Sequence, residues 1–322
     1  MSQLPIRLGA SIVAAALAAV TLGACSSSSN KGGAGASSGA TASGGSSSSA
    51  AGSDPSLNAM LPAAIRSSGV VKLATDAEYP PCESFTTDNK TMVGYEPDLW
   101  NAMAAKLGVK IEATSITFDS LIPGVQSGRY DMAMECISDN TDREKQVTFV
   151  DNAYATGAVY MLDTNTTITS DPLTLCGLKT ATQQGLDLAE TITTTLSPHC
   201  TKNGKQPIQV QQFPSANAAL LALYSGRVDF VLNDYAAAQA LQQAAPKKIR
   251  YVTNPLLQKY YNGMIFNKSA TELQQAFLAA LKAIIASGQY QQIMAKWKLP
   301  DLALTSPGVN LANSNPIPVP QP

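Results

Sequence analysis

The chain has 322 residues, 45% of them hydrophobic and only 14% charged, with a net charge of −1. That balance excludes the basic surface a nucleic-acid-binding protein needs and the charge-rich composition of a disordered chain. With His199 as the one histidine, neither a Ser-His-Asp set nor a cysteine–histidine dyad can be assembled, and no Cys/His spacing points to a metal or another cofactor.

Residues 1–24 read as a signal peptide. Arg7 supplies a short positive region, and 8–23 is an uncharged apolar run of 16 residues. A membrane span needs about 20, so the run suits the hydrophobic part of a signal sequence better. It ends in Leu22-Gly23-Ala24-Cys25, which resembles the bacterial lipobox. The resemblance implies cleavage before Cys25 and a lipid on its thiol, an anchor that does not span the membrane. Residues 26–53 are almost entirely Ser, Gly, Ala and Thr, with Lys31 the only charge. Such a segment is a flexible coil with a reach of roughly 30 Å. The expected linker thus covers 25–58, and a second disordered tail, rich in Pro, Asn and Ser, is expected over 304–322.

Between these lie about 245 residues, enough for one large or two medium domains. Their pattern alternates. A strand is predicted over 70–75, and a helix over 97–107, with Pro97 early, where its missing N–H costs little, and Gly108 closing it. Strands follow over 109–114 and 131–136. Thr141 and Glu144 form a capping box that starts a helix at Thr141. Arg143 then falls in the first turn, where a cation is disfavoured. It either pairs with Asp139 or Asp142 on a solvated face, or joins free backbone N–H groups around a bound anion. Strands over 180–184, 208–212, 229–233 and 249–252 build a second unit, and helices over 271–287 and 290–296 return to the first.

An internal repeat supports two similar units. The segment LIPGVQSGRYDMA, 121–133, and LLALYSGRVDFVL, 220–232, each read as an apolar helix, then SGR-x-D, then a short strand. Gly128 and Gly226 fit helix C-caps, with Arg129 and Arg227 just past the helix ends. Sheets covered on both faces follow, so the fold class is α/β. In such sheets ligands bind beyond the carboxyl ends of strands. One repeat's strand leads through Glu135-Cys136 to Ser138 and Arg143; the other ends at Asn233-Asp234. Facing each other, Arg143 and Asp234 match the two ends of an amino-acid zwitterion.

In order and spacing, ATDAEYPP (74–81), GYEPDL (94–99), FDSLIPGVQSGRYD (118–131), NTDREKQVTFV (140–150), SGRVDFVLND (225–234) and GQYQQIMAKW (288–297) resemble a known family. It comprises the type 2 periplasmic solute-binding proteins, family 3, that serve amino-acid ABC importers, and the resemblance runs from about 70 to 299. It implies two Rossmann-like lobes joined by two crossing strands, lobe 1 from 59–159 and 263–303 and lobe 2 from 160–262. It also implies that Arg143 holds a ligand α-carboxylate with help from Ser138, and that Asp234 takes the α-ammonium near the Cys136 carbonyl. Asp76 and Tyr79 then line the side-chain pocket and Phe118 packs on the apolar part. The implied protein is a monomer, not an enzyme. It is anchored on the outer face of the bacterial membrane and passes a free amino acid to an ABC permease. A sensor module for the same solute, or a lyase on this scaffold, are the alternatives.

Departures from the family mark what to look for. Leu186-Asp187 stands where threonines usually face the carboxylate, and Asp187 is expected to cap the next helix instead. Cys82 replaces an aromatic residue, Cys136 a small or hydroxyl residue and Pro97 an apolar one. The four cysteines beyond Cys25 allow three connectivities. The family resemblance favours Cys176–Cys200 within the second lobe, which leaves Cys82 and Cys136 near the cleft mouth for a second bridge. Glu135 is unusually acidic for its position. Two carboxylates, Asp76 and Glu135, held in one closing cleft repel each other unless a cation intervenes. That favours a cationic ligand, then a neutral polar one, and disfavours glutamate.

Overall fold

The structure, a computed structural model, describes residues 52–321. The signal-peptide reading, Cys25 and most of the linker lie outside the described residues. Among the described residues no helix is long and apolar enough to cross a membrane.

Ten strands form the main sheet: β1 (Val70–Thr75), β2 (Lys110–Ser115), β3 (Met132–Ala133), β4 (Thr148–Leu162), β5 (Lys179–Gln183), β6 (Gln209–Phe213), β7 (Phe230–Asp234), β8 (Ile249–Val252), β9 (Lys259–Phe266) and the two-residue strand Ser138–Asp139, which pairs with β9. Their order is β6-β5-β7-β4-β9-β3-β1-β2, with β8 also on β4. Parallel pairs β1–β2, β1–β3, β5–β6 and β5–β7 form the bodies of two α/β lobes. The antiparallel strands β4 and β9 run from one lobe into the other. The first part of β4 pairs with β9, and its last residues pair with β7 and β8.

Side chains alternate along β4 as a sheet covered on both faces requires. Val159 and Met161 join a core with Leu188, Ile192 and Phe230. Ala158 and Tyr160 face the other way, against Ala181, Leu223 and Val231. In the first lobe the helix Thr271–Ala286 buries Leu273, Phe277, Leu281 and Ile284 against Leu99, Met103 and Phe266. Those helix positions recur every three or four residues, so one stripe faces the core.

The repeat survives in three dimensions. Gly128 and Gly226 both take left-handed φ, +72° and +74°. Asp131 then accepts a hydrogen bond from the Lys72 N–H at 2.7 Å, and Asp229 accepts one from the Lys179 N–H at 2.8 Å. The same aspartate therefore pins the start of the first strand in each lobe. Arg129 and Arg227 lie over Tyr130 and Phe213, at 5.4 and 5.2 Å from the ring centres.

Three expectations need correction. The strand expected over 131–136 stops at Ala133, because Cys136 takes a φ of +38° and is bridged to Cys82, which bends the chain off the sheet. The helix at Thr141 is capped by Asn140, whose side chain accepts from the Asp142 and Arg143 N–H groups; Glu144 does not reach back to complete a box. Third, the stretch after 303 is not a disordered tail throughout. Ala303 and Val309 bridge to Ala153 and Val150 of β4. The short helix Leu311–Ser314 places three successive N–H groups, of Leu311, Ala312 and Asn313, on the carboxylates of Asp151, Asp139 and Glu144 at 3.0, 3.0 and 3.1 Å.

Candidate functional site

Ser138 and Arg143 lie just after the bend at Cys136, Asp76 and Tyr79 just after β1, and Phe118 after β2. Asp234 ends β7 in the other lobe, and Gly185 and Asp187 follow β5. All eight sequence-predicted ligand-site residues, Asp76, Tyr79, Phe118, Glu135, Cys136, Ser138, Arg143 and Asp234, are buried. The lobes are closed on one another along this line.

Arg143 anchors one end. Its Nη1 donates to the Ser138 carbonyl at 2.8 Å and to Ser138 Oγ at 2.6 Å; its Nη2 donates to the Gly185 carbonyl at 2.6 Å. Gly185 can aim that carbonyl because it sits at a φ of +86°, which a side chain would strain. The guanidinium also lies 5.6 Å from the centre of the Phe118 ring, a cation–π distance. The solvated pairing with Asp139 or Asp142 does not form. Asp142 instead pairs with Lys145 at the surface, and Asp139 receives the C-terminal helix.

Asp187 does not cap its helix. Residue Leu186 holds the N-cap position and makes no side-chain cap. The Asp187 carboxylate crosses to the first lobe: Oδ1 stands 3.1 Å from Arg143 Nη2, and Oδ2 accepts from Ser138 Oγ and Asn140 Nδ2, both at 2.8 Å.

Asp234 anchors the other end. Tyr79 donates to its Oδ2 at 2.8 Å, and Tyr260 donates to Oδ1. Tyr79 also reaches the Asn233 side chain, and Tyr160 donates to the Asp234 carbonyl. Burial pushes the Asp234 carboxyl up to about 6, although both tyrosine hydrogen bonds oppose the shift. Burial likewise raises Asp76 to about 6, helped by the charge of Glu78, while the Phe118 N–H and Gln183 side chain pull it back.

Behind these lies a buried acidic group. Glu135 is held well above the usual carboxylate range, first by burial and then by Asp76, Glu96 and Asp234, with Arg143 opposing. Glu83 and Glu96 are buried side by side; burial raises both, Glu96 to about 7, and the charges of Glu96 and Glu135 push Glu83 up further. Glu96 also accepts the Cys136 N–H at 3.0 Å. Both disulfides, Cys82–Cys136 and Cys176–Cys200, are formed. Among the described residues no group of His, Cys, Asp and Glu is arranged to hold a metal.

The sequence reading missed Tyr260, Asn233, Asn140 and Gln183, and misplaced Asp187. Tyr260 is the second residue of the crossing strand β9, a strand that the sequence pattern did not mark. Asn140 and Asn233 stand inside the motifs at 140–150 and 225–234, so their place was legible although their role was not.

A model of the bacterial extracellular solute-binding proteins, family 3, matches residues 71–300. The chain is 28% identical over 256 residues to an arginine-binding protein of Corynebacterium glutamicum, covering 80% of this chain and 83% of that protein. It is 26% identical over 233 residues to the L-arginine-binding protein of Pseudomonas aeruginosa, covering 70% and 87%. Among solved structures it is similar to an ancestral arginine-binding protein bound to arginine, with a TM-score of 0.63 at 30% identity, over 71% of this chain and 98% of the other. The structure of an ancestral arginine-binding protein bound to glutamine gives 0.64 at 29% over 72% and 98%.

Proposed function

This chain belongs to the bacterial extracellular solute-binding proteins, family 3, and on that premise we propose that it captures a polar or cationic amino acid between its lobes and hands it to an ABC importer. One observation carries the reading: a guanidinium and a carboxylate, Arg143 and Asp234, come from opposite lobes into one buried cleft beside Asp76 and Glu135. Arg143 takes the α-carboxylate with Ser138, and Asp234 takes the α-ammonium with the Cys136 carbonyl. Asp76 and Glu135 then face the end of the side chain, with Tyr79 and Phe118 packed against it. Buried carboxylates without a cation are costly, and a cationic side chain offsets that cost. The names of the arginine-binding relatives agree with this choice. The protein acts as a binding protein and a monomer, not as a catalyst, with lobe 1 formed by 59–159 and 263–303 and lobe 2 by 160–262. A lipid on Cys25 keeps it at the outer membrane face, and Cys25→Ser is expected to shift it out of the membrane fraction.

A thermal-shift screen of the twenty amino acids and ornithine tests the ligand. A ligand at a hundred times its Kd adds about 2.7 kcal/mol to stability. Arginine, lysine or ornithine are expected to raise the melting temperature most, with glutamine next. Tight binding of glutamate would overturn the electrostatic argument.

A further inference from the structure

The seat proposed for the ligand α-carboxylate is already filled by a carboxylate of the chain itself. Arg143 Nη2, Ser138 Oγ and Asn140 Nδ2 are the donors that such a ligand group would need. All three serve Asp187, at 3.1, 2.8 and 2.8 Å. Asp187 arrives from the opposite lobe, directly after the turn at Gly185. Its side chain is 27% exposed, so it can leave the seat without crossing a packed core. It has no competing duty as a cap, since the helix Asp187–Thr191 starts without a side-chain cap. The ammonium end is different: Asp234 meets only neutral hydroxyl donors there, from Tyr79 and Tyr260.

We propose that Asp187 is an internal competitor for the ligand α-carboxylate: it seals the empty cleft by occupying Arg143 and must swing away when an amino acid binds. The proposal rests on the amino-acid reading of the cleft. Its physical content is an exchange. A ligand carboxylate replaces one charged partner of Arg143 by another, so that end of the ligand contributes little net affinity. Discrimination falls to the ammonium and side-chain ends, where carboxylates await a cation. The same contact closes the two lobes without any ligand, because Arg143, Ser138 and Asn140 belong to one lobe and Asp187 to the other.

Two measurements on the full chain test this, using Asp187→Ala and the isosteric Asp187→Asn. The first is calorimetric titration with arginine, glutamine and agmatine, the decarboxylated amine of arginine. Removing a competitor that holds charge-assisted hydrogen bonds is expected to tighten amino-acid binding about tenfold to a hundredfold for Asp187→Ala, and less for Asp187→Asn. The gain should be equal for whichever amino acids bind and absent for agmatine. Unchanged or weaker amino-acid binding overturns the proposal. So does agmatine binding wild type as tightly as arginine and losing affinity in Asp187→Ala, which would make Asp187 a permanent part of the seat. The second measurement is small-angle scattering without ligand. Wild type should already be compact and Asp187→Ala more expanded; equal dimensions overturn the seal. If no amino acid binds either protein, the functional reading fails by itself, and the ligand-free scattering still decides whether Asp187 closes the cleft.

Discussion

Arg143 and Asp234 are both buried, and both are satisfied from more than one side, which sets the scale of what their removal costs. Arg143→Ala leaves Ser138, Gly185 and Asp187 without their shared donor. In wild type that end of the ligand only exchanges partners with Asp187, but without Arg143 its carboxylate is buried unpaired, which costs about 2–5 kcal/mol, so the amino acid should bind at least about 30-fold more weakly. Asp234→Asn should act similarly through the ammonium, while Tyr79 and Tyr260 keep a side-chain oxygen to donate to. Calorimetric Kd values within threefold of wild type would remove the residue concerned from the site. The carboxyls also set a pH dependence. Asp76 and Asp234 are each raised to about 6 in the free protein, by burial first. A cationic ligand selects their ionised forms, so affinity should hold above pH 7 and fall as pH drops through 6. By linkage, at pH 5 the loss is about tenfold for each group that must ionise, or about a hundredfold for both. Titrations with arginine from pH 5 to 8 measure this, and an affinity that rises toward pH 5 would mean that the ligand meets neither carboxylate.

At the level of elements, the C-terminal strap is the part with the plainest consequence. The hydroxyl of Tyr290 accepts the Leu304 N–H at 2.8 Å, and Asn310 accepts the Phe149 N–H at 2.8 Å. Together with the three N–H groups on Asp151, Asp139 and Glu144, and with the Tyr261 hydroxyl that donates to the Asn315 carbonyl at 3.0 Å, these contacts tie the strap to the start of both crossing strands. Ending the chain after Ala303 removes all of them and bares carboxyls that burial already raises, Asp139 to about 7 and Asp151 to about 9. A hydrogen bond to a neutral group is worth about 0.5–1.5 kcal/mol and one to an ionised group about 1.5–3, so losing all of them together should lower the melting temperature by about 10 °C or more. A shift under two degrees by calorimetry would show the strap to be passive. Its order was illegible in sequence because Pro, Asn and Ser read as coil, and most of the partners that fix it, Asp139, Glu144, Phe149 and Asp151, lie 160–173 residues away. The repeat, by contrast, was legible, since SGR-x-D is a local device: the glycine turns the chain, and the aspartate pins a neighbouring strand start. Asp234 was readable because it ends a strand, and Arg143 because a cation in the first turn of a helix is out of place. Asp187 was not, because a helix-first-turn aspartate looks like a cap until the opposite lobe is in place.

Across the whole molecule, each lobe carries its own staple, and the crossing strands and the cleft contacts join them. Cys176–Cys200 closes a separation of 24 residues inside the second lobe, against Leu175 and Leu196 in its core. Cys82–Cys136 closes 54 residues in the first lobe and sits in the cleft wall, where the Cys136 N–H binds Glu96 and Glu135 is its neighbour. In the chain-entropy model the two bridges are worth about 3.5 and about 4 kcal/mol, so on stability alone they look alike. Their effects on binding should differ. The double variant Cys176→Ala/Cys200→Ala should melt earlier but keep its Kd within about threefold, because the staple touches no proposed ligand residue. The variant Cys82→Ala/Cys136→Ala should lose both stability and affinity, because the bend that holds Glu135 and leads to Ser138 and Arg143 is freed, and a loosened site pays an ordering cost on binding. Comparing melting temperature with calorimetric Kd separates the two. Equal losses of affinity would mean that the second lobe transmits its internal disorder to the cleft, and that the lobes do not move as separately stapled bodies.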